Sequence, residues 1–173
     1  MTSNYLRADL RQCYNNDTNK RTESEDNKVE YINSFVYCDK VTNEVNPANN
    51  TVNRNIVSPL NELRPINIPG NYTFSVSCGI SGIDPATENH ISFRFIYPSD
   101  NKEISLIEAT IPNNSLLVEA GQQYSNLNLD VEYRNLVLNA EGTYKMEVEL
   151  NNKKLGEYFI EVKKAVIYYA NER

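Results

Sequence analysis

The sequence predicts an all-β chain that folds as an antiparallel β-sandwich of roughly seven to nine strands. Three observations predict this class: apolar and polar residues alternate with a period of two, turn residues separate the alternating segments, and no long segment has the period of a helix. The last hairpin shows the alternation most clearly. The apolar face of its first strand consists of Tyr144, Met146, Val148 and Leu150. A second sheet is needed to cover that face.

Composition divides the 173 residues into one domain with an arm and a tail. Residues 1–27 form the N-terminal arm, where apolar residues between Tyr5 and Tyr14 are spaced to line one face of a short helix, and a polar linker follows. Residues 28–164 carry the β pattern. Residues 165–173 form an apolar C-terminal tail with a charged end. We therefore expect the fold to lie between residues 28 and 164.

The first half of the domain has a less regular pattern than the second. Residues 29–38 are rich in strand-forming side chains and predict the first strand. Residues 39–55 are dominated by Asn, Thr and Glu, which predicts a long loop with room for one short strand. Residues 56–69 contain three prolines, so they can form an edge segment but not a central strand.

Period-two alternation then predicts the remaining strands, and a further turn or short strand is expected at residues 116–123. The predicted strands lie at residues 72–78, 91–97, 103–111 and 124–138 and in the hairpin at 142–162. Turn residues separate these segments. The pattern fits an Ig-like or jelly-roll-like sandwich, and a barrel is the main alternative.

A family resemblance rests on the order of these turns and strands. The matching segments are Cys38-Asp39, Pro69-Gly-Asn-Tyr-Thr-Phe, His90-Ile-Ser-Phe-Arg-Phe-Ile-Tyr-Pro98, residues 127–138, and Gly142-Thr-Tyr with the hairpin that ends at Val162. Over about residues 29–164 the chain resembles a family of uncharacterised bacterial and phage domains with an Ig-like β-sandwich fold. No catalytic residues are established in this family, so the resemblance implies a fold and no activity.

Composition also limits the classes of function. The net charge of −6 argues against a nucleic-acid-binding face. No run of about 18 apolar residues occurs, so no membrane-spanning helix is predicted, and the N-terminus lacks the pattern of a signal peptide. A cytoplasmic location is therefore expected. The 26 Asn residues, with abundant Ile and Lys, indicate an AT-rich genome, from which we infer a low-GC bacterium or its phage.

Candidate catalytic and metal-binding residues do not form a motif. His90 is the one histidine, has no partner in a motif, and is expected to be an ordinary surface residue. The thiols of Cys38 and Cys78 leave two alternatives, an inter-sheet disulfide or two buried free thiols, and the missing export signal favours the thiols. We therefore expect no enzymatic activity, no metal and no cofactor.

The tail after Lys164 is the feature that a finished sandwich does not explain. An extra edge strand is one interpretation, and the other is a contact surface for a protein partner or a second copy. The start of the arm is expected to belong to the same surface. The candidate partner-binding residues are Val166, Ile167, Tyr168, Tyr169, Tyr5 and Leu6.

The leading hypothesis is a non-enzymatic protein-interaction module that acts on a bacterial host protein and inhibits an antiviral defence. A second hypothesis is a binder that sequesters a nucleotide signal, since Arg94, Tyr97 and Arg134 are residue types that hold phosphate and base. A third is a virion or other structural module. No nucleic-acid partner and no membrane partner are expected.

Overall fold

The computed structural model describes residues 5–9, 29–48, 51–97, 99–100, 102–116, 118 and 122–166. Throughout these residues the regular structure is β-strand and no helix occurs. Eight strands have nine residues or more and two are shorter. They form two five-stranded sheets that enclose one hydrophobic core. The predicted all-β sandwich is thereby confirmed.

Each sheet combines strands from both halves of the chain. Sheet 1 has the order β1-β8-β5-β2-β3, and sheet 2 has the order β4-β10-β9-β6-β7. All pairings are antiparallel except that of β4 with β10. The strand bounds are β1 (Tyr5–Asp9), β2 (Tyr31–Asn46), β3 (Thr51–Pro59), β4 (Glu62–Leu63), β5 (Gly70–Ile83), β6 (Asn89–Tyr97), β7 (Lys102–Ile111), β8 (Ser125–Leu138), β9 (Gly142–Leu150) and β10 (Lys153–Val162).

The core lies between the two sheets and is centred on four aromatic rings. Phe74 and Tyr133 of sheet 1 stack with their ring centroids 4.9 Å apart. Phe95 and Tyr144 of sheet 2 stack at 5.5 Å, and Phe74 contacts Phe95 across the interface at 5.5 Å. All four side chains are fully buried. Burial of each such ring stabilises the fold by about 1.5–3 kcal/mol.

The closing hairpin is confirmed. Its strands β9 and β10 pair antiparallel, and the turn between them consists of Asn151 and Asn152. Both residues have positive φ angles, 52° and 63°, as a two-residue turn of type I′ requires. The side-chain oxygen of Asn151 accepts a hydrogen bond from the His90 amide at 2.8 Å, which fastens the turn to β6.

The prediction of a long loop at residues 39–55 is wrong. The structure places most of this segment in the antiparallel hairpin of β2 and β3, where Val41 pairs with Ile56 and Val45 pairs with Val52. The abundant Asn, Thr and Glu residues hid these Val and Ile positions. Strand preference depends on cross-strand neighbours more than on the residue itself, so the partner strand decides the outcome here.

The prediction of a short helix in the arm is also wrong for residues 5–9, the part of the arm that the structure describes. Tyr5–Asp9 is strand β1 and pairs antiparallel with β8 at the edge of sheet 1. A short apolar segment does not distinguish helix from strand by its period, and the open edge of β8 supplies the pairing that selects a strand. Residues 10–28, which include the rest of the expected helix, lie outside the described residues.

The edge assignment for residues 56–69 agrees with the structure. β3 ends sheet 1 and β4 ends sheet 2, and both lie in or next to this proline-rich segment. The short strand considered at residues 116–123 is not found in the part of that segment that the structure describes.

Candidate interaction site

The chain after β10 continues along β4 as a backbone-anchored edge. The Lys163 amide donates to the Leu63 carbonyl at 3.0 Å, and the Ala165 amide donates to the Pro65 carbonyl at 2.9 Å. These two bonds extend the parallel pairing of β4 with β10. We call residues 63–66 together with residues 163–166 the C-terminal edge. The Lys164 amide also donates to a carboxylate oxygen of Glu141 at 2.7 Å.

Two exposed apolar side chains lie at the end of this edge. Ile66 is 64% exposed and Val166 is 61% exposed, and each directly follows a residue of the Ala165–Pro65 hydrogen bond. The other tail candidates, Ile167, Tyr168 and Tyr169, lie outside the described residues. The C-terminal edge therefore ends in two exposed apolar side chains. After Val166 the sequence continues with further apolar residues.

The structure does not place the arm beside the tail. Tyr5 and Leu6 lie in β1, where they pair with Glu132 and Val131 of β8. β1 adjoins β7 on one side of the sandwich, whereas β10 adjoins β2 on the other. Tyr5 and Leu6 are thus on the opposite side of the molecule from Val166, and these three described residues do not form the single surface that was expected.

The three residues suggested for ligand binding are also separated. Arg94 lies on the outer face of sheet 2, and Arg134 lies on the outer face of sheet 1, where it contacts Glu132 at 2.7 Å. The Tyr97 ring packs on Tyr144, with centroids 5.2 Å apart, at the margin of the core. They therefore do not form one site.

Arg94 does line a shallow groove of about 380 Å³ on sheet 2. Its guanidinium lies 3.2 Å from Glu103 and 3.5 Å from each of Glu147 and Glu149. Ser92 forms the floor of the groove, and Glu108 and Glu149 lie beside it on the neighbouring strands. Because carboxylates already surround Arg94, the groove is poorly suited to a phosphate group.

Glu147 is the centre of the charged network on this face and is nearly buried. The ammonium groups of Lys145 and Lys154 lie 2.7 Å and 3.3 Å from its carboxylate. The hydrogen bond to Glu147 raises the pKa of Lys145. The network agrees with the mixed charge pattern of β9 and β10 in the sequence. Such surface networks contribute little to stability for each pair.

His90 lies at the rim of the groove in an ordinary surface environment. Its side chain is 62% exposed and lies 3.2 Å from a carboxylate oxygen of Glu88. The other ring nitrogen is 3.0 Å from the Thr110 hydroxyl. In the part of the chain that the structure describes, no three His, Cys, Asp or Glu side chains are grouped so as to hold a metal ion.

The two thiols that the structure describes lie on opposite faces of the same sheet. Cys78 faces the core, whereas Cys38 pairs with Ser75 on the outer face. Both are free, and their positions exclude the inter-sheet disulfide. Burial raises the pKa of Cys38 to about 11 and that of Cys78 to about 12. A nucleophilic cysteine requires the opposite shift.

No membrane-crossing helix is found among the residues that the structure describes.

Comparison with known proteins identifies no family for the chain. No protein-family profile matches it. No curated protein matches its sequence.

Solved structures show weak similarity over most of the chain. One is the alkylpurine DNA glycosylase AlkC of Pseudomonas fluorescens bound to DNA containing an abasic-site analogue, with 13% identity, a TM-score of 0.43, and coverage of 78% of this chain and 30% of that one. Another is a glycosyl hydrolase family 2 member of Bacteroides cellulosilyticus, with 11% identity, a TM-score of 0.39, and coverage of 76% and 15%. The chain thus spans less than a third of the length of either protein.

Proposed function

We propose that the chain is a non-enzymatic protein-interaction module that binds its partner through the C-terminal edge. The observation that carries this proposal is the pair of exposed apolar side chains, Ile66 and Val166, on a backbone held by the Leu63 and Pro65 carbonyls. Ordered backbone lowers the entropy that must be lost on binding. Exposed apolar side chains on an ordered edge therefore favour association with another protein.

The sequence after Val166 supports the same surface. Residues 167–170 add isoleucine and two tyrosines, which bury a large area and lose little side-chain entropy on binding. Because the chain is anchored up to Ala165, a partner that binds this segment also contacts the edge of sheet 2. The binding surface then consists of the C-terminal edge and the tail.

The class of partner that we propose is a protein of the bacterial host cytoplasm. The support is compositional, since the Asn-rich sequence indicates a low-GC bacterium or its phage. A protein that has no reaction of its own can affect a host protein by blocking one of its surfaces. We therefore propose inhibition of an antiviral defence protein as the biological role, with self-association as the alternative use of the same surface.

Charge substitution at the C-terminal edge tests the proposal. The variants are Val166→Asp, Ile66→Asp and a chain lacking residues 167–173, each compared with the full chain. Val45→Asp is the matched control, because Val45 is equally exposed but lies on the β2–β3 hairpin. The measurements are self-association by sedimentation velocity and capture of proteins from the lysate of a low-GC bacterium.

We expect the three edge variants to lose association by at least tenfold, about 1.4 kcal/mol or more, while Val45→Asp retains it. Circular dichroism should show an unchanged β signal in all variants. Equal association of Val166→Asp and Val45→Asp would contradict the proposal, and so would a full chain that neither self-associates nor captures a protein.

A further inference from the structure

The distal part of the β2–β3 hairpin folds across the outer face of sheet 1. In β2, Val36 pairs with Ser77 of β5, and Asn43, seven positions further, pairs with Arg54 of β3. In a straight ladder these seven positions would separate Arg54 from Ser77 by about 23 Å. Instead, the Arg54 guanidinium donates to the Ser77 hydroxyl at 2.7 Å. The hairpin must therefore bend back over β5.

The bend occurs where the hairpin leaves β5. Cys38 pairs with Pro59 and Lys40 pairs with Val57, and the ladder is interrupted between them. At this interruption Ser58 has a φ of 49°, which few residues other than glycine adopt. We call the described residues of the hairpin beyond this interruption, 40–48 and 51–57, the strap. The strap begins next to positions 39 and 58, which are not paired in the ladder.

One arginine connects β3 of the strap to the sheet beneath. Arg54 donates through two nitrogens to the Asp130 carboxylate of β8, with Nε 3.0 Å from Oδ2, and donates to the Leu129 carbonyl at 3.2 Å. The side chains of Arg54 and Asp130 are only 14% and 13% exposed. Among the β3 side chains that the structure describes, Arg54 is the one that hydrogen-bonds to β5 or β8.

The strap covers polar residues rather than a second hydrophobic core. Ser75 and Ser77 are nearly buried, although both point to the outer face of the sheet. Cys38 is on the same face and has no exposed surface. No strap residue belongs to the hydrophobic core. Segments with few apolar contacts open at lower free energy than the core, so the Arg54–Asp130 pair is the main attachment.

We propose that residues 40–48 and 51–57 open as one unit and that the Arg54–Asp130 ion pair holds them closed. Opening uncovers the Cys38 thiol together with Ser75 and Ser77, while the sandwich stays folded. Because the pair is the attachment, loss of either member raises the open population. Opening of the strap is independent of binding at the C-terminal edge, which lies on sheet 2.

The two buried thiols allow opening of the strap and global unfolding to be measured in the same molecule. The full chain is treated with N-ethylmaleimide, and peptide mass spectrometry follows modification of Cys38 and Cys78 separately. Cys38 reports the strap, because it is fully buried on the face of sheet 1 that the strap crosses. Cys78 reports global unfolding, because it lies in the core. When opening and closing are fast, each rate follows the population of the corresponding open state.

We expect Arg54→Gln to raise the Cys38 rate by about 10- to 100-fold, with the Cys78 rate unchanged. This is below the effect of breaking a fully buried ion pair, because both side chains keep some exposure. Asp130→Asn should give a similar increase, and the double variant no more than either single variant. Arg134→Gln is the matched control, because it removes an exposed ion pair with Glu132 on the same face. It should leave the Cys38 rate unchanged.

Two outcomes would overturn the proposal. An unchanged Cys38 rate in Arg54→Gln would show that the ion pair does not hold the strap. An equal rise for Cys38 and Cys78, including the rise expected from a variant that fails to fold, would show that the pair belongs to the global fold. Either result leaves the proposed binding through the C-terminal edge unaffected.

Discussion

At the scale of single residues, position relative to the sheet decides what a side chain can do. Cys38 and Cys78 look equivalent in the sequence, since each ends a strand-like segment. In the structure one thiol is buried on the outer face of sheet 1 and the other lies in the core. The Cys38 thiol donates to the Ser75 carbonyl at 3.7 Å. Burial raises the pKa of both thiols, so both keep their protons well above neutral pH.

The buried thiols predict that stability falls in alkaline solution. In the unfolded chain a thiol loses its proton near pH 9.0, whereas folding raises the pKa of Cys78 to about 12. Between these values the native state binds more protons than the unfolded state, so the free energy of unfolding decreases as pH rises. Cys78 alone should account for about 1 kcal/mol at about pH 10.

Urea unfolding at a series of pH values from neutral to about pH 10 measures this dependence. Cys78→Ala lowers stability at every pH because it leaves a cavity, but it should flatten the decrease above pH 9. Burial also raises the pKa of Tyr37 and Tyr133, so part of the dependence remains in the variant. An identical pH slope in Cys78→Ala and the parent chain would contradict the assignment to this thiol.

At the scale of elements, local backbone geometry was easier to anticipate than pairing. The closing hairpin was expected because two alternating segments follow each other, and the structure places its turn residues, Asn151 and Asn152, in the left-handed region. The proline-rich segment was expected at an edge because proline cannot donate to a ladder. The β2–β3 hairpin was missed, since its strands are stabilised by each other rather than by a distinct local period.

Substitutions at Asn152 test the turn geometry. Asn152→Gly should stabilise the chain slightly or leave it unchanged, because glycine adopts a positive φ without steric cost. Asn152→Ala should destabilise it by about 1 kcal/mol, because alanine has a Cβ clash and no local hydrogen bond in that region. Thermal unfolding of both variants and the parent measures the order. An alanine variant as stable as the glycine variant would show that the φ of Asn152 does not constrain the turn.

At the scale of the whole molecule, the aromatic cluster joins the two sheets into one cooperative unit. Phe74 contacts Tyr133 and Tyr37 within sheet 1 and Phe95 of sheet 2. At one side, the Tyr37 hydroxyl donates to the Tyr158 carbonyl of β10 at 2.8 Å, and Phe35 stacks on Tyr158. These contacts cross between sheets at the centre and at the margin, so the sheets should unfold together.

Phe74→Ala should therefore destabilise the whole fold by about 3–5 kcal/mol. Phe159→Ala is the matched control, because Phe159 is an exposed phenylalanine on the outer face of sheet 2 and should change stability by less than about 0.5 kcal/mol. Urea unfolding followed by circular dichroism and by tyrosine fluorescence measures both. Separate transitions for the two signals would contradict a single cooperative unit.

The candidate site was predictable only where it depends on local sequence, as was the fold. The apolar residues after Lys164 are visible in the sequence, and the structure adds that residues 163–165 are fixed along β4 and beside Glu141. The opposite positions of Tyr5 and Val166 were not predictable, because they depend on which sheet edge each segment joins. The separation of Arg94 from Arg134 depends on the same long-range pairing.

The sequence by itself determined which segments after residue 70 are strands, which side chains of β9 face the core, and that residues 142–162 form the closing hairpin. Periodicity and backbone preference act between neighbouring residues, so they can be read along the chain. Only the tertiary structure decided that β1 completes sheet 1, that Cys38 and Cys78 lie on opposite faces, and that the strap folds over β5. These features depend on contacts such as that of Arg54 with Asp130, which lie 76 residues apart and meet only when the strands of sheet 1 are assembled.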